Sequence, residues 1–348
     1  MIGDAALNER AETNELDASG EEQLYRALRR FWHPVAYADD VAERPVPVTL
    51  LDERLVLVRL AGAIRCFKDL CVHRGTALSL GQVEGDELRC AYHGWTYGPD
   101  GLCTRIPARF GSTIPSRARL AGFVCEERDG LVWVCLTDEP YYPIPTFPDA
   151  SRDDVHVATI PAYDWRCSAT RRVENYVDFA HFPWLHDGLL ASKEHPEVPD
   201  HPVWREGPEL RFEGVRMEPG TTSKPAIEGE GAPVHSRTEY RLFMPFTIWL
   251  HQIYDDGREF SLFMAASPIA RKQVRSFTFN ARNYDLDGDD TTYIEFQQLI
   301  VSQDLPVAES QRPEELPMDL SAELHIRGVD KVSLEYRKWL VELKALAA

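Results

Sequence analysis

No stretch of this 348-residue chain approaches the ~20 consecutive apolar residues of a membrane-spanning helix; its apolar runs, such as LVWVCL and FMPFTIWL, are far shorter. Positive charge is also scarce. Against 56 Asp and Glu stand 38 Lys and Arg, a net charge of −18, which argues against nucleic acid or an anionic membrane surface as the main partner. The first residues, MIGDAALNERAETNELDASGEEQ, have neither the basic nor the apolar segment of a signal peptide. Cysteines are few and odd in number, seven at positions 66, 71, 90, 103, 125, 135 and 167, and so make no disulfide framework in a chain this long. A reducing, cytoplasmic location is expected, and the length allows two domains, each with its own core.

What the chain does contain is two clusters of metal-binding residue types. Cys71-Val-His73 and Cys90-Ala-Tyr-His93 offer two thiolates and two imidazoles, the ligand set of a Rieske 2Fe-2S centre. Residues one or two apart can straddle a cluster only where the backbone turns tightly, and Gly75 and Gly94 permit such turns. Trp95 follows directly and is expected to shield the cluster. Cys66 and Cys103 are surplus to a four-ligand set, while Cys125, Cys135 and Cys167 read as buried small hydrophobes. A four-ligand zinc site is the alternative reading of the same residues.

About a hundred residues later ENYVDFAHFPWLHDG carries Asn175, Asp178, His181 and His186. Two imidazoles plus one carboxylate make a facial triad for non-heme iron, with positions open to dioxygen. On a straight helix His181 and His186 lie ~140° apart, so an unbroken helix cannot chelate with both. Pro183 is expected to end or kink the helix at Phe182 and let His186 swing back.

Periodicity gives an α+β fold. Residues 1–20 read as a flexible tail, and residues 21–145 as an antiparallel β domain of short alternating strands and tight hairpins. The proline-rich DEPYYPIPTFPDASRDD marks a boundary, and residues 146–348 form a second domain, with strands around TEYRLFMPFTIWLHQIY, EFSLFMAASPIA and QVRSFTFNARNY. Late helices are expected after Gly288-Asp289-Asp290 and from Asp330 onward. Between Glu218 and Val234 a Gly- and Pro-rich stretch reads as a mobile loop.

CVHRGT and CAYHGWTY, with sixteen residues between His73 and Cys90, together with ENYVDFAHFPWLH and SQDLPVAESQRP, resemble the Rieske non-heme iron oxygenases over most of the chain. Respiratory Rieske proteins carry an extra cysteine in each loop; the matching residues here are Thr76 and Tyr92. The resemblance implies a Rieske domain followed by a catalytic domain with a curved antiparallel sheet and packed helices, helix-grip-like. It implies Cys71, His73, Cys90 and His93 as cluster ligands, and His181, His186 and Asp304 as ligands of a mononuclear Fe(II). Asn175 matches a position beside the iron. Asp178 matches a carboxylate that hydrogen-bonds one iron histidine and, across a subunit interface, a cluster histidine, which implies a head-to-tail homotrimer.

The implied activity is that of a short monooxygenase or O/N-demethylase of the vanillate and dicamba type. It uses O2 and electrons from NAD(P)H, through a separate reductase or ferredoxin, on a small organic substrate, cyclic or aromatic. The alternatives are a cis-dihydroxylating ring oxygenase, and an electron-transfer protein whose second domain is not catalytic. Candidate pocket residues are Phe243, Phe246, Trp249, Phe260, Phe263, Phe279 and His251, with strand register left open. Arg171 or Arg172 could bind a substrate carboxylate. The remaining histidines, His33, His156, His195, His201, His235 and His325, match no motif.

Overall fold

A computed structural model describes residues 19–109, 111, 113–218 and 234–347. The expected tail up to residue 18 and the interior of the Gly- and Pro-rich loop lie outside these residues. Helix α1 (Gly20–Ala27) starts at Ser19, whose side chain accepts a hydrogen bond from the Glu22 amide at 3.2 Å and so caps the first turn. Its Leu24 and Ala27 are buried.

Strands β1 (His33–Tyr37), β2 (Val46–Leu50), β3 (Glu53–Leu60) and β4 (Ala63–Lys68) join β9 (Gly122–Arg128) and β10 (Leu131–Cys135) in one antiparallel sheet. Its order is β1-β10-β9-β4-β3-β2. Every residue of β10 is buried, as an apolar run flanked on both sides by strands requires. Asp129 and Gly130 both have positive φ, the geometry of the tight two-residue turns that match strand twist. Between β4 and β9 the chain builds a smaller sheet from β5 (Gln82–Glu84), β6 (Glu87–Arg89), β7 (Thr96–Tyr97) and β8 (Cys103–Arg105), in sequence order. Both Cys-His loops belong to this outlying layer.

The second half forms a seven-stranded antiparallel sheet from β11 (His156–Trp165), β12 (Val203–Glu206), β13 (Glu209–Glu218), β14 (Val234–Phe243), β15 (Thr247–Tyr254), β16 (Glu259–Ala270) and β17 (Gln273–Arg282). The order is β11-β17-β16-β15-β14-β13-β12. Helices α2 (Ala169–Val177), α3 (Phe182–Leu185), α4 (Thr291–Ser310) and α5 (Lys331–Leu343) complete it. The α+β expectation is borne out, as are the two late helices. Val332, Tyr336, Leu340 and Leu343 are the buried stripe of α5.

The two halves are tightly joined. One apolar cluster includes Leu55 and Val134 of the first sheet, Val173 and Tyr176 of α2, and Met264 and Val274 of the second sheet. Tyr37 donates to the Ile160 carbonyl at 2.7 Å and accepts from the Thr278 amide at 3.0 Å. The proline-rich crossing is itself anchored: buried Asp149 accepts hydrogen bonds from Trp249 Nε1 at 2.8 Å and Ser261 Oγ at 2.6 Å. No described helix is long and apolar enough to cross a membrane.

Candidate active site

The Cys-His loops are two tight turns of the same design. Gly75 N donates to Cys71 O at 2.9 Å and Gly94 N to Cys90 O at 3.1 Å, and both glycines have the positive φ that this closure requires. Each turn points a buried thiol inward and an imidazole outward. Cys71 and Cys90 are each 2% exposed, whereas the His73 and His93 rings, centroids 4.5 Å apart, lie at the rim. Trp95 stacks on His73 at 4.6 Å, with planes 7° apart. Cys71 Sγ lies 3.1 Å from the Tyr97 hydroxyl.

Two thiols below and two imidazoles above suit a binuclear cluster. Among the described residues these four do not close around a single ion, and buried His73 Nδ1 has no hydrogen-bond partner. All seven cysteines are free. Buried Cys66 belongs to the main apolar cluster, and Cys103 bonds the Arg105 carbonyl.

In the second half the helix break falls earlier than the sequence suggests. Helix α2 stops at Val177, and Asp178 is already extended (φ −89°, ψ 118°). Pro183 therefore starts a helix and does not end one. It lies in the first turn of α3, where no backbone donor is needed. His181 and His186 are the N- and C-terminal caps of this single turn, which brings their ring centroids to 5.3 Å.

Helix α4 carries Asp304 to the same point. His186 Nε2 is 3.0 Å and His181 Nε2 3.5 Å from Asp304 Oδ1, and one ligand atom from each residue fits within a 4.8 Å cluster. Both His186 Nε2 and Asp304 Oδ1 are buried without an aligned hydrogen bond, an arrangement that costs about 1–3 kcal/mol per group unless something else binds them. Two nitrogens and one carboxylate oxygen converging on one point fit a ferrous ion.

Each histidine is anchored through its other nitrogen. His181 Nδ1 donates to Asp178 Oδ2 at 3.2 Å and His186 Nδ1 to Gln303 Oε1 at 2.7 Å. This fixes the tautomers that leave both Nε2 atoms free to bind metal. Burial works against the Asp304 charge, but His186, the Arg172 guanidinium and His181 outweigh it and hold the carboxyl below its usual range. Asn175 lines the cavity over the triad and also the groove on the Asp178 side.

The cavity is walled by Leu250 and Gln252 of β15, Phe260, Leu262 and Met264 of β16, and Gln297, Ile300 and Val301 of α4. Of the six aromatic candidates only Phe260 is in this wall. Phe243, Trp249, Phe263 and Phe279 pack with Trp133 and Phe147 in a separate cluster, and Phe246 joins the main core. Strand pleat explains the split, because Trp249 and His251 point to the opposite face from Leu250 and Gln252. His251 stacks on Trp249 and meets Glu259 at 3.2 Å, away from the cavity.

Arg171 also faces elsewhere, paired with Glu323 at 2.6 Å. Arg172 does reach the cavity, but its guanidinium is already bound to Asn175 and Tyr163. Sequence reasoning missed Gln303, Gln252 and Gln297. Gln297 was within reach: with Ile300, Val301 and Asp304 it makes a helical i, i+3, i+4, i+7 stripe, all buried.

Residues 31–116 match the Rieske [2Fe-2S] domain, and residues 165–346 match the vanillate O-demethylase oxygenase C-terminal domain. The chain is 37% identical to methylxanthine N1-demethylase NdmA of Pseudomonas putida, over 91% of this chain and 89% of the relative. It is 36% identical to methylxanthine N3-demethylase NdmB of the same organism, over 94% and 92%. The solved structure of NdmA with caffeine superimposes with a TM-score of 0.83 at 35% identity, covering 93% of each chain. Dicamba monooxygenase, 21% identical with a TM-score of 0.77 over 91% of this chain and 98% of the other, shares the fold. The chain belongs to the Rieske non-heme iron oxygenases, as an oxygenase component of the monooxygenase type that works with a 2Fe-2S cluster, a mononuclear iron, dioxygen and electrons from a separate reductase.

Proposed function

We propose that Cys71, His73, Cys90 and His93 hold the cluster, that His181, His186 and Asp304 hold the iron, and that the reaction is oxidative removal of a methyl group from nitrogen in a neutral heterocycle. When bound, the iron supplies positions open to dioxygen and the cluster supplies electrons, drawn from NAD(P)H through the reductase. Overall, one oxygen atom enters a methyl C–H bond and the other leaves as water, with two electrons and two protons consumed. The resulting N–CH2OH breaks down to N–H and formaldehyde.

The composition of the cavity carries the substrate class. Above the two orphaned ligand atoms its polar groups include the carboxamides of Asn175, Gln252 and Gln297, in a wall otherwise rich in apolar side chains. Asn175 Oδ1 is taken by Arg172, so Asn175 offers its NH2 group to ring carbonyls, while Gln297, which both donates and accepts, can read ring carbonyls and ring nitrogens. An anionic substrate needs a free cation, and Arg172, the only Arg or Lys among the described lining residues, is already engaged. The Pseudomonas relatives named for methylxanthines act on molecules of this chemistry. Asp178 and Gln303 orient the ligand histidines, while Phe260, Leu262 and Ile300 keep water from the methyl group.

The head-to-tail homotrimer belongs to the same reading. Its support is an exposed rim around the cluster, with Leu80 71% and Tyr92 61% exposed, and a half-exposed Asp178 in a groove of its own. Light scattering should give three chain masses; a fully active monomer excludes the shared electron path.

The decisive experiment is turnover with reductase, NADH and O2 on N-methylated purine and pyrimidine diones, methoxybenzoates and naphthalene. Formaldehyde and the N–H product from the first group are expected. Product only from the carboxylates, or a diol from naphthalene, overturns the reading.

A further inference from the structure

Arg172 is buried at 2% exposure in the wall of the cavity. Its guanidinium carbon lies over two rings, 3.9 Å from the Trp165 ring centre and 4.0 Å from that of Tyr176. Cation–π contact with both rings leaves its N–H groups for hydrogen bonds. One terminal nitrogen donates to the Tyr163 hydroxyl at 2.7 Å, another donates to Asn175 Oδ1, and Nε has no partner. Tyr176 is itself tied to Ser276 Oγ at 3.1 Å. The cation is therefore held by side chains of β11 and α2, and one of them is tied in turn to β17.

A guanidinium can only donate. Its partner on Asn175 must be the amide oxygen, so the free polar end of Asn175 is the NH2 group. Asn175 shares the wall of the cavity with His181. Resting on the functional reading above, we propose that Arg172 is a positioning residue that locks the Asn175 amide, so that Asn175 presents N–H donors beside the iron triad and is barred from serving as an oxygen ligand. The lock has two parts. The two rings hold the guanidinium carbon and the Tyr163 hydroxyl holds one of its nitrogens, so the position of Asn175 Oδ1 is fixed before anything binds. Lysine cannot substitute, because an ammonium lacks the planar fork that holds two oxygens.

The test uses the reduced, iron-loaded holoenzyme without oxygen, with nitric oxide as the probe and the electron paramagnetic resonance line shape at the mononuclear iron as the readout. Iron content and the visible circular dichroism of the cluster are measured alongside. Asn175→Leu, which removes the donor, should change the line shape with iron retained, and Arg172→Met should change it too. The double variant is built on Arg172→Lys, which keeps the positive charge that also acts on Asp304, and should match Asn175→Leu, because the lock acts through Asn175. Arg172→Lys should behave as Arg172→Met, and it serves if the methionine variant does not fold.

An unchanged line shape in the Arg172 variants overturns the proposal. So does a double variant in which the two effects add, or loss of iron from the Arg172 variants while Asn175→Leu stays loaded, since each makes Arg172 a packing residue only. Failure of the functional reading looks different: the unmodified protein itself then holds no iron that responds to nitric oxide.

Discussion

The cluster loops and the iron triad hold their candidate ligands in opposite ways. The four cluster residues fall within 23 positions of sequence, on two turns at one edge of the fold, with imidazoles at the surface. The triad spans Asp304 and the His181–His186 turn, more than a hundred residues apart, and His186 is 1% exposed. Local turns suffice where electrons must enter from outside. An enclosed point needs a folded domain to converge on it, and that domain also supplies the cavity wall. The first centre should therefore survive damage to the second.

The sharpest way to break that contrast is His181→Ala. Product formation should fall to background while the visible spectrum of the cluster is unchanged; residual turnover, or a lost cluster, would show that the two centres are not separable. Next is the charge network behind α2. Arg337 bonds Glu174 at 2.6 Å and Glu323 at 2.6 Å, and Arg171 still pairs with both carboxylates, so Arg337→Met should cost about 1.5–3 kcal/mol in unfolding free energy. The loss should appear in denaturant melts, with the native cluster spectrum intact before the transition.

A pH series probes the junction of the two halves. Burial of His33 lowers its pKa to about 4 from the ordinary 6.5. The neutral ring bonds the Leu28 carbonyl at 2.9 Å and packs toward Phe246. A depressed histidine pKa means that only the unfolded chain takes up the proton at mildly acidic pH. Its contribution is complete above pH 6.5 and is lost as the pH falls through about 4, roughly 3 kcal/mol in all. Denaturant midpoints at pH 7 and 4.5 should show the drop, and His33→Leu should flatten it.

The smallest expected effect is on Gln303. Gln303→Leu removes the acceptor that orients His186 and should weaken iron binding by about 10–100-fold, read by chelator competition. A cluster unaffected by the same chelator keeps the contrast; equal loss from both centres would erase it.

The same difference decides what could be read from the sequence. The cluster loops were legible because their constraint is local: two Cys-His pairs and the glycines that close each turn. The pair His181 and His186 was legible as two imidazoles short of one carboxylate, but Asp304 was reached by resemblance, since no spacing rule links it to residues so far away. Pro183 was correctly weighted as a discontinuity but set on the wrong side of it, because proline is as acceptable in the first turn of a helix as after its last. The cavity wall was illegible from the strands. One residue of register exchanges faces, and that is all that separates Leu250 and Gln252 from Trp249 and His251. Gln303 gave no signal, its value depending on a histidine 117 positions away.

Helix α4 has a consequence for how this enzyme could change substrates. Gln297, Ile300, Val301 and Asp304 occupy one buried stripe, two turns and roughly 10 Å from end to end. The helix works as a ruler, with its zero mark at Asp304, the proposed iron ligand, and its graduations at the far wall. Exchanging residues at 297, 300 or 301 alters which part of a molecule comes to rest at the zero mark, without moving the mark. Inserting or deleting one residue between them rotates the scale by ~100° and destroys both functions together. Divergence in this enzyme should therefore run through substitutions on α4, and never through changes in its length.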